Sequence, residues 1–268
     1  MKGRVLVVAG SDSGGGAGIQ ADIKTVTALG GFAMTAITAL TAQTTEGVYG
    51  IHDIPPEFVV EQMRVVINDI GVDCIKIGML HRPEIIDAVA KFIEAEVPDI
   101  PVVLDPVMIA KGGAPLLVNE AVHALKEKMI SKAYLLTPNL PEAKVLTGET
   151  DGFGDELEKL GNCILSLGPQ AVLVKGGHGK GEIIQDILVD ADGVTEIFTS
   201  PRIDTVHTHG TGCTLASAIS IGLAQGMNLR DAVDRARNYV IRAIESAPGL
   251  GNGFGPINHA HTVNRFDT

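Results

Sequence analysis

The sequence predicts an α/β protein whose core is a mostly parallel sheet with helices packed on both faces. Short runs of Val, Ile and Leu recur along the chain without polar alternation, as strands buried on both sides require. Amphipathic segments of helical period separate those runs, which is the pattern of strand, crossover helix and parallel strand. Hydrophobic residues make up 45% of the 268 positions and charged residues 20%, enough apolar material to fill such a core. No linker, internal repeat or low-complexity tract divides the chain, so residues 1–268 read as a single domain.

The elements follow in order. "RVLVVAG" (4–10) is a buried strand, and "GIQADIKTVTALGG" (18–31) a helix closed by glycine. "FAMTAITAL" is the next strand, "PPEFVVEQMRVVINDIG" a helix, "CIKIGM" a strand, "RPEIIDAVAKFIEAE" a helix and "VVLDPV" a strand. "NEAVHALKEKMI" continues as helix, "AYLLTPN" as strand, "LPEAKVLTG" and "GDELEKLGNCILSLG" as helices, and "AVLVKGG" as strand. The alternation breaks once. "IIQDILVD", a turn at "ADG" and "VTEIFTSP" form an antiparallel hairpin at one edge of the sheet. Two helices follow, "GCTLASAISIGLAQG" and "LRDAVDRARNYVIRAIESA". The glycine-rich tail from residue 248 is expected to be irregular, with disorder toward its end over 259–268.

A net charge of −11 with no basic cluster argues against nucleic-acid binding. The longest apolar stretches, such as "AMTAITAL", are too short to span a bilayer. "MKGRVLVVAG" lacks a signal-peptide cleavage pattern, so the cytoplasm is the expected location. Cys74, Cys163 and Cys213 are odd in number and far apart, which fits reduced thiols rather than a disulfide framework or metal cluster. Cys74 and Cys163 lie among aliphatic residues as small hydrophobes. Cys213 stands at a helix start.

In open α/β sheets ligands bind beyond the carboxyl ends of the strands, which directs attention to the residues just after each one. "AGSDSGGGAGIQAD" (9–22) places five glycines in a strand-to-helix turn, where the backbone can approach a ligand closely. It has neither the dinucleotide-binding register nor a P-loop lysine, and a purely structural turn is the alternative. "DPVM" and "TPNLPEA" put Asp105 and Glu142 on loops at one sheet edge, where they could share Mg²⁺ or serve as a turn former and a helix-start charge. Lys175 of "VKGGHG" ends a buried strand and needs an anionic partner, either a nucleotide phosphate or a carboxylate. His178 lies either against a nucleotide base or in solvent. "HGTGC" (209–213) opens a long helix with unpaired amides aimed at one spot, a site for an anion.

Taken together and in this order, "AGSDSGGGAGIQADIKT", "TALTAQTTEGV", "IKIGML", "DPVM", "TPNLPEA", "VKGGH" and "HGTGC" resemble the motifs of the ribokinase-like superfamily. Within it the chain resembles the bacterial hydroxymethylpyrimidine and phosphomethylpyrimidine kinases of thiamin biosynthesis, over residues 4–260. The resemblance implies a three-layer α/β/α sandwich, a homodimer, ATP and Mg²⁺ as cofactors with K⁺ left open, and a small pyrimidine as substrate. It implies two phosphoryl transfers, first to the hydroxymethyl group of 4-amino-5-hydroxymethyl-2-methylpyrimidine and then to the monophosphate. Gly10, Asp22, Gln43, Met79 and Val107 would hold the pyrimidine, with Gln43 bonding the aminopyrimidine edge. Asn139, Lys175 and His178 would lie along the nucleotide, and Asp105 and Glu142 would position the metal.

Gly210, Thr211, Gly212 and Cys213 would be the catalytic segment. The wider superfamily has aspartate as base where this chain has Cys213. The positive helix end is expected to bring that thiol below its reference pKa of about 8.5 and make it a usable base. A permanent carboxylate there would repel an incoming phosphomonoester by about 4 kcal/mol per charge pair at 4 Å and an effective dielectric near 20, whereas a thiol can stay neutral. A pyridoxal kinase of the same fold is the nearest rival. A non-catalytic binding protein is a more distant one, since it would have no need of Asp105, Glu142, Lys175 and the glycines together.

Overall fold

A computed structural model describes residues 1–109, 113, 116–148, 156–179, 181–193 and 195–264. The first apolar run becomes β1 (Arg4–Asp12), followed by α1 (Gly18–Ala28) and β2 (Phe32–Gln43). Then come β3 (Val48–Asp53), α2 (Pro56–Ile70), β4 (Cys74–Ile77), α3 (Pro83–Glu96), β5 (Val102–Leu104) and α4 (Asn119–Ala124). The chain continues through β6 (Leu135–Leu136), α5 (Leu140–Thr147), α6 (Leu157–Leu165), β7 (Ala171–Lys175), β8 (Ile183–Asp190) and β9 (Thr195–Pro201). Helices α7 (Thr211–Ala224) and α8 (Leu229–Glu245) complete the described elements.

The strands form one sheet in the order β3-β2-β1-β4-β5-β6-β7-β8-β9. From β2 to β7 every neighbouring pair is parallel, and β8 and β9 extend the sheet as the expected antiparallel hairpin. Alternate residues face opposite layers. Leu6, Val8, Ile75, Ile77 and Leu104 pack with residues of α2 to α6, whereas Cys74, Val103, Leu173 and Leu188 pack with α7 and α8. Val5, Val7 and Ala9 meet α1 and Ile221 of α7. Because β1 leads to β2 on one side and the chain returns to β4 on the other, strand order reverses beside β1. A crevice opens at the carboxyl ends there.

The structure departs from the sequence reading in two elements. β3 pairs antiparallel with β2, so both edges of the sheet are antiparallel, not one. "VYGIHD" hides this because the strand is short, holds Gly50 and is at least partly exposed at every residue, leaving no apolar alternation. The segment expected as one helix from 119 to 130 is α-helical only over Asn119–Ala124, then widens to a π turn over Leu125–Met129 and tightens to a 3₁₀ turn over Ile130–Lys132. The change of pitch brings Leu125, Met129 and the adjacent Ile130 into the core together. The tail is irregular, and it is tied down where the Tyr239 hydroxyl donates to the His259 carbonyl at 2.7 Å. Residues 265–268 lie outside the described residues.

β4 also buries a charge. Lys76 is inaccessible on the face covered by α1 and α7, where its Nζ lies 3.0 Å from Asp22 Oδ2. The Ser217 hydroxyl donates to Asp22 Oδ1 at 2.6 Å, so α7, α1 and β4 are joined through one carboxylate. Burial works against the Lys76 charge, but Asp22 and other negative groups beside it outweigh burial and raise its pKa. Removing one partner strands the other in the core. Asp22→Asn is therefore expected to lower the unfolding free energy by about 3–5 kcal/mol in urea titrations, and Lys76→Met combined with Asp22→Leu to recover most of it.

Candidate active site

A cavity of about 880 Å³ occupies the crevice at the carboxyl ends of the strands. Its first wall is the turn after β1. The Asp12 carboxylate, almost fully buried, accepts the amides of Gly14 at 2.8 Å, Gly16 at 3.0 Å and Ala17 at 2.8 Å, which shapes the glycine loop. Nε2 of His209 lies 2.8 Å from Asp12 Oδ2. Burial pushes the Asp12 pKa up, and the His209 and loop-amide contacts more than offset it, leaving the pKa below its ordinary value. A Cβ on Gly10 would lie 2.5 Å from Met79 Cε, so Met79 packs directly against the bare backbone of Gly10.

Gly10, Gln43, Met79 and Val107, the residues the resemblance assigns to the pyrimidine, all line this cavity. Asp22 does not. The substrate contact expected there is corrected: both carboxylate oxygens are engaged by Lys76 and Ser217 behind the wall. Lys76, which the sequence reading passed over, lines the cavity instead. A lysine inside the apolar run "CIKIGM" was the available signal. Gln43 Oε1 accepts from the Thr41 hydroxyl at 3.2 Å, and Gln43 Nε2 lies 3.5 Å from His209 Nε2. Since a carboxylate only accepts, the His209 Nε2 proton points to Asp12, and the Gln43 amide hydrogens are left for an acceptor on a ligand.

The opposite wall gathers the charged groups. Asp105, just beyond β5, is nearly inaccessible; its Oδ1 accepts from the Thr137 hydroxyl at 3.2 Å and from Lys175 Nζ at 2.9 Å. Asn139 and Glu142 form a reciprocal cap on α5: the Glu142 amide donates to Asn139 Oδ1 at 2.9 Å and the Asn139 amide to Glu142 Oε2 at 2.8 Å. Burial raises the Glu142 pKa to about 7, with Lys175 pulling it down and Asp105 pushing it up. Asp105, Asn139, Glu142 and Lys175 line the same cavity, and His178 lines it from an exposed turn. Arg202 staples that turn by donating to the carbonyls of Gly177 at 2.8 Å, Gly179 at 2.8 Å and Gly181 at 2.7 Å.

The start of α7 closes the arrangement. Gly210 has φ +82°, and a Cβ there would sit 1.8 Å from the Gly16 carbonyl oxygen, so both backbone twist and contact with the glycine loop demand glycine. A Cβ on Gly212 would lie 3.4 Å from Lys175 Nζ and 3.5 Å from Asp105 Oδ2. The helix end therefore rests directly over the Asp105–Lys175 pair. The first intrahelical bond runs from the Thr214 amide to Gly210 at 2.9 Å, and among the described residues the amides of Gly212 and Cys213 have no acceptor. Unpaired amides, a positive helix end and a lysine at one point make an anion site.

The acidity expected of Cys213 is corrected. Cys213 keeps some exposure to the cavity, yet the protein packed around it drives its thiol up to about 11; Lys76 pulls down, Asp22 and Asp105 push up, and the amide of Gly18 gives slight relief. The sequence showed the helix end alone, not the apolar wall and the two carboxylates that outweigh it.

Residues 12–258 match the phosphomethylpyrimidine kinase family. The chain belongs to that family. It is 51% identical over 258 residues to a thiamine biosynthesis bifunctional protein of Geobacter sulfurreducens, covering 96% of this chain but 52% of that protein. The chain thus spans about half the length of that relative. Against the hydroxymethylpyrimidine/phosphomethylpyrimidine kinase of Haemophilus influenzae it is 46% identical over 259 residues, with 96% of each covered. Its fold is the ribokinase-like one expected, and the crystal structure of an ADP complex of Bacillus subtilis pyridoxal kinase superposes with a TM-score of 0.88 at 35% identity, covering 97% of this chain and 98% of that one. Membership makes the chain a phosphotransferase.

In this member of the phosphomethylpyrimidine kinase family the Cys213 thiol should stay protonated until the pH approaches 11. Alkylation at Cys213, followed by mass spectrometry, is expected to be slow at pH 8 and to rise about tenfold per unit toward that value. Rapid alkylation at neutral pH would contradict the burial argument.

Proposed function

We propose that the chain transfers the γ-phosphoryl group of ATP to the hydroxymethyl oxygen of 4-amino-5-hydroxymethyl-2-methylpyrimidine, and then a second phosphoryl group to the resulting monophosphate. The observation that carries this reading is the convergence of Lys175, Asp105 and the unpaired amides of Gly212 and Cys213 at one point of the cavity. Gly10, Gln43, Met79 and Val107 line the same cavity and suit a flat, polar-edged ring. Leu215, Ile241 and Ile244 supply apolar lining for an adenine base, with Asn139 and His178 along the nucleotide.

Phosphoryl transfer passes through a loose transition state, so the protein chiefly positions the groups and neutralises charge. The acceptor oxygen forms a bond to the γ-phosphorus as the bond to ADP breaks. Lys175 and the amides of Gly212 and Cys213 meet the charge on the moving group. Cys213 keeps its own proton. The alcohol proton instead leaves late, to an oxygen of the transferred group. The second transfer begins from an ionised phosphate and has no such proton to lose. A neutral thiol at this position admits that dianion where a carboxylate would repel it.

Asp105 and Glu142 fit a magnesium ion: Asp105 Oδ2 is not engaged by Lys175 or Thr137, and Glu142 is a buried carboxylate with Asp105 near enough to raise its pKa. When bound, the ion would neutralise phosphate charge. Because the Glu142 pKa is raised to about 7, its charge is present above that pH and lost as the pH falls through it. The apparent affinity for Mg²⁺ is expected to fall about tenfold between pH 8 and pH 6. Glu142→Gln should flatten that dependence in steady-state titrations of the metal. Parallel assays in potassium and sodium salts decide whether K⁺ takes part.

The likeness to pyridoxal kinase favours one competing reading, phosphorylation of pyridoxal at the same site. Product analysis with ATP, Mg²⁺ and either acceptor separates the two. We expect one and then two phosphates per pyrimidine ring, with a kcat/KM at least about tenfold above that for pyridoxal. A pyridoxal preference would replace the pyrimidine assignment. Absence of ADP release with both acceptors would overturn catalysis itself. Cytoplasmic location and a homodimer belong to the same proposal; free Cys74, Cys163 and Cys213 support the reducing compartment, and sedimentation tests the assembly.

A further inference from the structure

Two parts of the cavity wall come from opposite ends of the chain, and one carboxylate joins them. Asp12 orders the glycine loop through the Gly14, Gly16 and Ala17 amides, and the same carboxylate holds His209, 197 residues away in sequence. His209 immediately precedes Gly210, where α7 is capped. The contact has no slack on either side: a Cβ on Gly16 would lie 2.4 Å from His209 Cδ2, and one on Gly210 would lie 1.8 Å from the Gly16 carbonyl oxygen. The backbone of His209 is fixed as well, its amide donating to the Gly255 carbonyl at 3.1 Å. Both Asp12 and His209 are buried, so the pair works where water does not compete.

We propose that Asp12 and His209 are a positioning pair that sets the acceptor-binding loop in register with the phosphate-binding start of α7. Gln43, on the ring side, reaches to within 3.5 Å of the same His209 nitrogen. The pair therefore stands between the groups that hold the ring and the amides that hold the phosphoryl group. This rests on the phosphotransfer reading above. Both side chains border the cavity, but the role assigned to them runs through the segments they fix, the glycine loop and the start of α7.

The test uses the full chain, with acceptor and ATP varied separately. His209→Ala is expected to raise the acceptor KM and lower kcat, each about tenfold, because a small misplacement at a site of group transfer costs on the order of a hundredfold in kcat/KM. The ATP KM should change less than about twofold, since Lys175, Asn139 and the turn at Gly176 are held by other contacts. His209→Gln places an amide N–H close to the position of Nε2 and should recover kcat/KM to within about fivefold of wild type. In protein labelled with ¹⁵N in the imidazole ring, the Nε2 proton of His209 should give a protected resonance that Asp12→Asn removes. Equal rises in both KM values, a fall in kcat alone, unchanged kinetics, or a glutamine variant no better than alanine would each overturn the pair. Should wild type fail to phosphorylate the pyrimidine, the functional reading falls separately, and the pair is then judged by the resonance: present and removed by Asp12→Asn supports it, absent overturns it.

Discussion

The ion pair between Lys175 and Asp105, lying under the open end of α7, is the interaction on which the site depends. A largely covered ammonium needs a carboxylate, and Asp105 supplies one with only one of its two oxygens. The helix end above it adds unpaired amides but no side-chain charge. The result is a point where negative charge is welcome yet the protein remains balanced without it. Most of the neighbouring chemistry follows. Asp105 contributes to the raised pKa values of Glu142 and Cys213, and Lys175 pulls Glu142 back toward ionisation.

A second buried pair, Lys76 with Asp22, carries the same logic one layer deeper. It joins β4, α1 and, through Ser217, α7, so the helix that presents the anion site is fixed to the sheet by a charged contact as well as by apolar packing. Its position beside Cys213 matters to the chemistry. Lys76 draws the thiol toward ionisation while Asp22 opposes it, and burial decides the outcome in favour of the neutral form. A neutral group at the helix end is what distinguishes this site from one built around a permanent carboxylate, and it suits an acceptor that becomes more negative from one transfer to the next.

The parallel core, the hairpin at β8 and β9, and the placement of Gly10, Gln43, Met79, Val107, Asp105, Asn139, Glu142, Lys175 and the segment from Gly210 to Cys213 were legible in the sequence. Buried parallel strands announce themselves as apolar runs, and the residues after them fall at one edge of the sheet by geometry alone. β3 was not legible, because a partly exposed edge strand carries little periodicity. The roles of Asp12 and His209 were hidden for another reason: their contact spans almost the whole chain, and neither residue is unusual in its own neighbourhood.

What the sequence by itself determined is therefore the layered fold and the set of groups brought to its carboxyl edge, since both follow from local periodicity and from where strands end. What only the tertiary structure decided is the state of those groups. Asp22 turned from the cavity to Lys76, and Cys213 kept its proton, because burial and long-range charge set a pKa and neither can be read from a residue's neighbours in the chain.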